Sequence, residues 1–156
     1  MFPRYRALFL AFGAKPCSLS SHKQFELESY IKEIIDGAMA QEPDPKNGLL
    51  RNYIGDPSYC GEASGTAMLA ATVYRMTVML PDQYGNEYVE WADKLASAVY
   101  KCVREDGLVE PVANPLMYGQ REPLQGVSVE GQCFVVLMCT AQRAYKENIN
   151  MDDMLC

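Results

Sequence analysis

The sequence predicts an all-α fold of helical hairpins in which outer and inner helices alternate, and three observations predict it. The stretch from Tyr59 to Leu80, YCGEASGTAMLAATVYRMTVML, reads as a helix that is apolar nearly all round, with Arg75 the only charged residue after Ala63. A helix apolar on every side must be covered on every side, whereas a surface helix needs one apolar stripe. The segments from Lys23 and from Glu87 carry such single stripes, so they are outer helices. Finally, a pattern repeats: an outer-type helix, a turn of the form (Asn/Asp)-Gly-Leu-(Leu/Val), a loop, and an apolar helix with Glu in its first turn. The turns are Asn47-Gly48-Leu49-Leu50 and Asp106-Gly107-Leu108-Val109, and the same spacing separates Glu62 from Arg75 as Glu130 from Arg143. Stacked hairpins of this kind form either a closed α/α toroid or an open solenoid. In both, the ends of the inner helices and their loops line one face, where a ligand site would sit.

Taken in order, the first helix runs from Lys23 to near Gln41, with Leu27, Ile31, Ile34, Ile35 and Ala38 on one face and Glu26, Glu28, Lys32, Glu33 and Asp36 elsewhere. Pro43, Pro45 and Gly48 stop it. A short extended piece and the Asp56-Pro57-Ser58 turn lead to the inner helix, about 62–80. Gly65, Ala67, Ala70 and Ala71 are small enough to let neighbours approach, and Met68, Met76 and Met79 fill core. Pro81 to Gly85 turns the chain. The second outer helix, Glu87 to Arg104, has Tyr88, Trp91, Ala92, Leu95, Val99 and Val103 on or near one face, so 62–80 and 87–104 form an antiparallel hairpin. A loop follows with Pro111, Pro115, Gly119 and Pro123. The last helix starts after Ser128, an expected N-cap, and continues to about Lys146; the residues from Glu147 to Cys156 are expected to fray. Residues 1–24 stay unassigned, 25–147 form the helical domain, and 148–156 are a tail.

The chain has 156 residues, enough for one domain with a real core. Its net charge is −6 and no stripe of Lys or Arg stands out, which argues against nucleic acid as a partner. The inner helix is interrupted by Ser64, Thr66, Thr72, Tyr74, Arg75 and Thr77 and barely reaches the roughly 20 apolar residues of a membrane span, so no membrane partner is expected. Residues 1–17 hold Arg4 and Arg6 ahead of a short apolar run, without a clean cleavage site before Lys15-Pro16. This leaves the compartment open, with the cytoplasm favoured over secretion. Six cysteines without Cys-x-x-Cys spacing and a single histidine, His22, argue against a metal site. The cysteines are expected as reduced, buried thiols, and His22 as a solvated loop residue.

Four pieces of the chain carry a resemblance: GLLRNYIGDPSYCGEASGTAML (48–69), the helical pair that follows, DGLVEPVANPL (106–116) and SVEGQCFVVLM (128–138). Together they resemble the C-terminal part of the six-hairpin glycosidases, specifically the unsaturated rhamnogalacturonyl hydrolases of glycoside hydrolase family 105 (GH105), related to family 88. The resemblance spans about Ile31 to Tyr145 and implies part of an (α/α)6 toroid acting on pectin-derived oligosaccharides. Such substrates end in a 4,5-unsaturated uronic acid. An aspartate protonates the vinyl ether carbon and helps water add at C5, and the resulting hemiacetal falls apart to release the sugar. The resemblance implies no metal or organic cofactor.

The departures matter as much. The chain holds two to three of the six hairpins. The family's catalytic aspartate and its Trp-x-Arg-Gly-Asn-Gly-Trp motif belong to the other half of the toroid, and the only tryptophan here is Trp91, on an outer helix. No catalytic residue can therefore be assigned, and the chain reads as a fragment, a truncated gene product or an incorrect gene model.

The candidate substrate-binding residues are Arg51, Tyr59, Glu62 and Glu130. Glu62 and Glu130 each serve either as a helix-capping, loop-bracing carboxylate or as a group on the substrate face. Arg51 either pairs with Asp56 or Glu62, or holds a uronate carboxylate through two parallel bonds. Tyr53, Tyr59 and Tyr118 either pack the loops or stack on sugar. Arg75 and Arg143, deep in apolar helices, are expected to pair with carboxylates or cap carbonyls. A partial toroid leaves apolar helix faces uncovered, so self-association through them is the alternative expectation to an oligosaccharide partner.

Overall fold

The computed structural model describes residues 21–117 and 119–153. Cys17, Cys156, the N-terminal segment with Arg4 and Arg6, and Tyr118 lie outside the described residues. Among the described residues there are four helices, α1 (Ser21–Met39), α2 (Ala63–Met79), α3 (Asn86–Tyr100) and α4 (Val129–Asp153), and no strand beyond two isolated bridges. The chain divides into two compact units, one ending at Gly37 and one starting at Ala38.

In the first unit α1 is amphipathic, with exposed i,i+4 pairs: His22 with Glu26, Gln24 with Glu28 and Lys32 with Asp36. The buried face is narrower than the sequence pattern implies. Ile35 is buried, but Leu27 and Ile34 are exposed. Ile34 lies about 100° round the helix from Ile35 and cannot share its face. His22 is helical and pairs with Glu26, instead of lying in a loop.

The second unit is organised by α2, which packs against both α3 and α4. Its buried residues, Ala63, Thr66, Ala67, Leu69, Ala70, Ala71, Val73, Tyr74 and Met76, cover most of its circumference, as the apolar composition requires. Met68 departs from the expectation of core filling and is exposed. The six-residue connection 80–85 reverses the chain, and there Tyr84 is fully buried and packs edge-on against Tyr88 at 5.1 Å. On α3, Tyr88, Ala92, Leu95, Ala96 and Val99 form the buried stripe. The helix stops at Tyr100, not Arg104, because Val103 leaves it to bridge Val109 across the Asp106-Gly107 turn.

The two repeated turns have the same local physics. Gly48 and Gly107 adopt φ of 74° and 82°, a region where a side chain is strained. In each, the residue before glycine caps the turn: Asn47 Oδ1 accepts from Leu49 N at 3.0 Å, and Asp106 Oδ1 accepts from Leu108 N at 3.1 Å. Each turn then buries apolar side chains, Leu49 and Leu50 in the first and Val109 in the second.

On α4, Gly131, Val135, Met138 and Ala141 form the buried stripe. The helix continues to Asp153, past the expected fraying point. No glycine or proline follows Gly131 to stop it, and Arg143 pairs with Glu147 one turn on, at 2.8 Å. Arg143 is therefore a surface residue, not one deep in an apolar helix. Among the described cysteines all four are free, but only partly as expected: Cys133 is exposed, and Cys60, Cys102 and Cys139 are half-buried.

Candidate functional site

The site forms where the starts of α2 and α4 meet the loops that precede them. Glu62 has extended backbone and is the N-cap of α2. Its carboxylate accepts from Ser64 N at 2.8 Å and Gly65 N at 2.6 Å, and from the Ser64 hydroxyl. These N–H groups have no partner within the helix, so a carboxylate here satisfies them and also meets the positive end of the helix dipole. The same carboxylate accepts from Ala113 N at 3.4 Å, and Ala63 N donates to Pro111 O at 2.8 Å. The start of α2 is thus tied to the loop leading to α4.

The preceding turn is tied in as well. Thr66 Oγ1 donates to Glu62 O at 2.6 Å and accepts from Leu50 N at 2.9 Å. The second repeat solves the same problem differently. Gln132, with its amide oriented to satisfy both ends, accepts from Val109 N at 2.8 Å and donates to Gly107 O at 3.3 Å. Ser128 caps α4, its hydroxyl accepting from Gly131 N at 3.1 Å and donating to Glu130 Oε2 at 3.1 Å.

Between these helix starts lies a cleft of about 450 Å³ lined by Asn52, Tyr53, Ser64, Ala113, Asn114, Pro115, Ser128, Glu130 and Phe134. Asn114 is fixed at both ends of its amide, donating to Gln120 Oε1 at 3.1 Å and accepting from Leu116 N at 3.0 Å. Tyr53 is backed by Tyr59, ring centroids 4.4 Å apart, and Arg121 lies 5.5 Å from the centre of the Tyr59 ring. Arg121 Nε donates to Ser58 Oγ at 3.0 Å, and Ser58 donates to Asp56. The Ser58 hydroxyl and N–H, with Arg121 beyond, hold the Asp56 carboxyl below its ordinary value of 3.8.

The structure separates the four residues singled out from sequence. Glu130 lines the cleft. Glu62 is 4% exposed and lies beneath the floor, bonded to two floor residues, Ser64 and Ala113. Tyr59 stands behind Tyr53 and not in the lining. Arg51 is not part of the lining. Its Nη1 donates to Glu42 O at 2.9 Å and its Nη2 lies 4.0 Å from Asp44 Oδ1, so its partner is Asp44 and not Asp56 or Glu62. Asp44 in turn accepts from Gly61 N at 3.0 Å and Lys46 N at 3.1 Å, and the Gly61 bond above all holds its pKa low. Ser64 and Phe134 were not singled out, although each follows a singled-out glutamate, by two residues and by one helical turn. Asn52 and Asn114 carried no such signal. Among the described residues no group of three or more His, Cys, Asp or Glu could hold a metal, and no helix is long and apolar enough to cross a membrane.

The architecture has counterparts among solved structures. A possible member of the GH105 family from Salmonella enterica serovar Paratyphi A superposes with a TM-score of 0.54 at 22% identity over 69% of this chain. Another possible GH105 member, from Klebsiella pneumoniae, superposes at 0.57 with 23% identity over 71%. The fold is a partial helical toroid of the GH105 type. It is glycoside hydrolase-like in architecture, and the chain spans about 30% of the length of the toroids it matches: 29% of the first and 30% of the second. No protein-family model and no curated protein matches the sequence.

Proposed function

We propose that this chain forms part of the sugar-binding face of a glycoside hydrolase-like toroid that acts on pectin-derived oligosaccharides ending in an unsaturated uronic acid. The observation that carries the reading is the cleft between the starts of α2 and α4, in a fold shared with two possible GH105 members. Tyr53 and Phe134 offer flat apolar surface to the C–H face of a sugar, and Asn52, Ser64 and Glu130 offer hydrogen-bonding groups to its hydroxyls. A few polar groups set among apolar ones is the usual make-up of a small-molecule site.

In this reading the chain binds and another part of the toroid reacts. Glu62 caps a helix with both oxygens engaged, so its role is to hold the cleft floor and not to move protons. Hydrolysis falls to the aspartate that the resemblance places outside this chain. The test is a titration of the isotopically labelled chain with an unsaturated uronyl disaccharide. The expected result is shifts of Tyr53, Ser64 and Phe134 signals with no loss of the ultraviolet absorbance of the unsaturated uronate. Absence of any shift at the cleft would sink the reading, and loss of absorbance would place catalysis within this chain.

A second reading, a helical module that binds through an uncovered face, is favoured by one observation. Val129, Cys133, Val136 and Leu137 are all exposed and fall on one side of α4.

A further inference from the structure

We infer that the cleft receives a neutral sugar residue and excludes the uronate. The inference rests on the proposed sugar-binding role and assigns which part of the substrate this cleft holds.

Charge decides which sugar the cleft accepts. A uronate carboxylate is held in proteins by guanidinium or ammonium groups or by a cluster of free N–H donors. The described lining supplies none of these. Its only charged side chain is Glu130, an acid. A second acid, Glu62, lies directly under the floor, bonded to Ser64 and Ala113. The N–H groups at the start of α2 that could have met an anion, those of Ser64 and Gly65, already donate to Glu62, and Gly131 N at the start of α4 donates to Ser128 Oγ. The start of α2 is therefore closed to an external carboxylate, and at the start of α4 the Gly131 N–H is already taken.

Arg51 and Arg121 both stand outside the lining. Arg51 is held by Glu42 O and Asp44, and Arg121 lies 5.5 Å from the Tyr59 ring centre with its Nε on Ser58. A carboxylate placed against Glu130 would meet like charge at short range, which is unfavourable. A neutral pyranose meets no such penalty. Its hydroxyls can donate to Glu130, which among the described residues takes one hydrogen bond, from Ser128, and its apolar face can lie on Tyr53 or Phe134.

The experiment titrates the labelled full chain separately with methyl α-L-rhamnoside, as the neutral probe, and with galacturonic acid, following cleft signals. The expected result is saturable shifts with the rhamnoside and binding of galacturonate at least about tenfold weaker. Glu130→Gln should narrow that gap, because it removes the like charge and keeps the shape. Tyr53→Leu should weaken the rhamnoside without restoring galacturonate. Galacturonate binding as tightly as the rhamnoside in the wild-type chain overturns the inference and leaves the sugar-binding role standing. Binding of neither probe overturns the inference and removes the cleft's support for that role together.

Discussion

The hydroxyl of Tyr74, on α2, donates to Oδ1 of Asp93, on α3, at 2.6 Å. Gln142, on α4, donates to both, to the Tyr74 oxygen at 2.9 Å and to Asp93 at 3.3 Å, and accepts from the Tyr100 hydroxyl at 2.8 Å. Tyr74 itself is fully buried. One polar knot thus joins α2, α3 and α4. Hydrogen bonds to a charged partner contribute about 1.5–3 kcal/mol, so Tyr74→Phe should lower stability by about that amount. Urea unfolding followed by circular dichroism measures it, and an unchanged midpoint would show that the knot is ornamental.

The same tyrosines predict an alkaline limit. Burial first, and the Asp93 bond second, push the Tyr74 phenol far above its ordinary value of 10.0. Burial and the Cys139 thiol push Tyr100 up to about 12, and burial raises Tyr145. A raised folded pKa means the folded state keeps its proton after the unfolded chain has lost it. The contribution is therefore full below pH 10 and is lost as pH rises above that. Thermal midpoints should fall from about pH 10 upward, less steeply in Tyr74→Phe than in the wild type.

Gly65 tests the Glu62 cap. A Cβ at Gly65 would stand 2.6 Å from Glu62 Oε1, closer than real Cβ contacts allow. In an isolated helix Gly→Ala is stabilising by about 1 kcal/mol. Here Gly65→Ala should instead destabilise by about 1–2 kcal/mol, the range of a lost cap. In a Glu62→Ala background the same change should become neutral or stabilising. A double-mutant cycle reads the difference, and strictly additive effects would argue against the cap.

Asp44 sets an acid limit. Its folded pKa lies below the ordinary 3.8, chiefly through the Gly61 N–H. A depressed folded pKa contributes stability that is present above the unfolded value and lost as pH falls through the folded one. The loss should begin near pH 4 and continue below it. Asp44→Asn should cost about 1–3 kcal/mol at neutral pH, since it weakens a charged acceptor and leaves Arg51 without its carboxylate. It should also flatten the acid limb of a stability–pH curve.

The exposed side of α4 predicts association. Val129 is 72% exposed and Val136 62% exposed, two turns apart on one helix face. Sedimentation should show mass rising with protein concentration, and Val136→Glu should abolish the rise. A monodisperse wild-type monomer at every concentration would remove the binding-module reading.

Much of this architecture was legible in the residues themselves. The all-round apolarity of α2 marks it as the covered helix, Asn47-Gly48 and Asp106-Gly107 mark the two turns, and Ser128 marks a cap. These are local signals, and local signals survive in sequence. What was not legible depends on partners far apart in the chain. The Arg51–Asp44 pairing depends on how the 44–51 turn curls back, and nothing at Arg51 distinguishes Asp44 from Asp56. The two repeats also suggested equal roles for Glu62 and Glu130. The structure gives the cap to Glu62 in one and to Ser128 in the other, which leaves Glu130 facing the cleft. The end of α3 at Tyr100 was hidden because Val103 continues the helical stripe while its backbone is recruited by Val109.

The bond from Ala63 N–H to Pro111 O has a consequence for how the cleft meets a guest. It ties the start of α2 to the loop leading to α4, both of which contribute residues to the groove. The proposed binding surface is therefore partly shaped in advance, and a sugar arriving there would have less loop ordering to bring about. In that reading selectivity comes more from fit to a preformed groove than from loops closing on the guest.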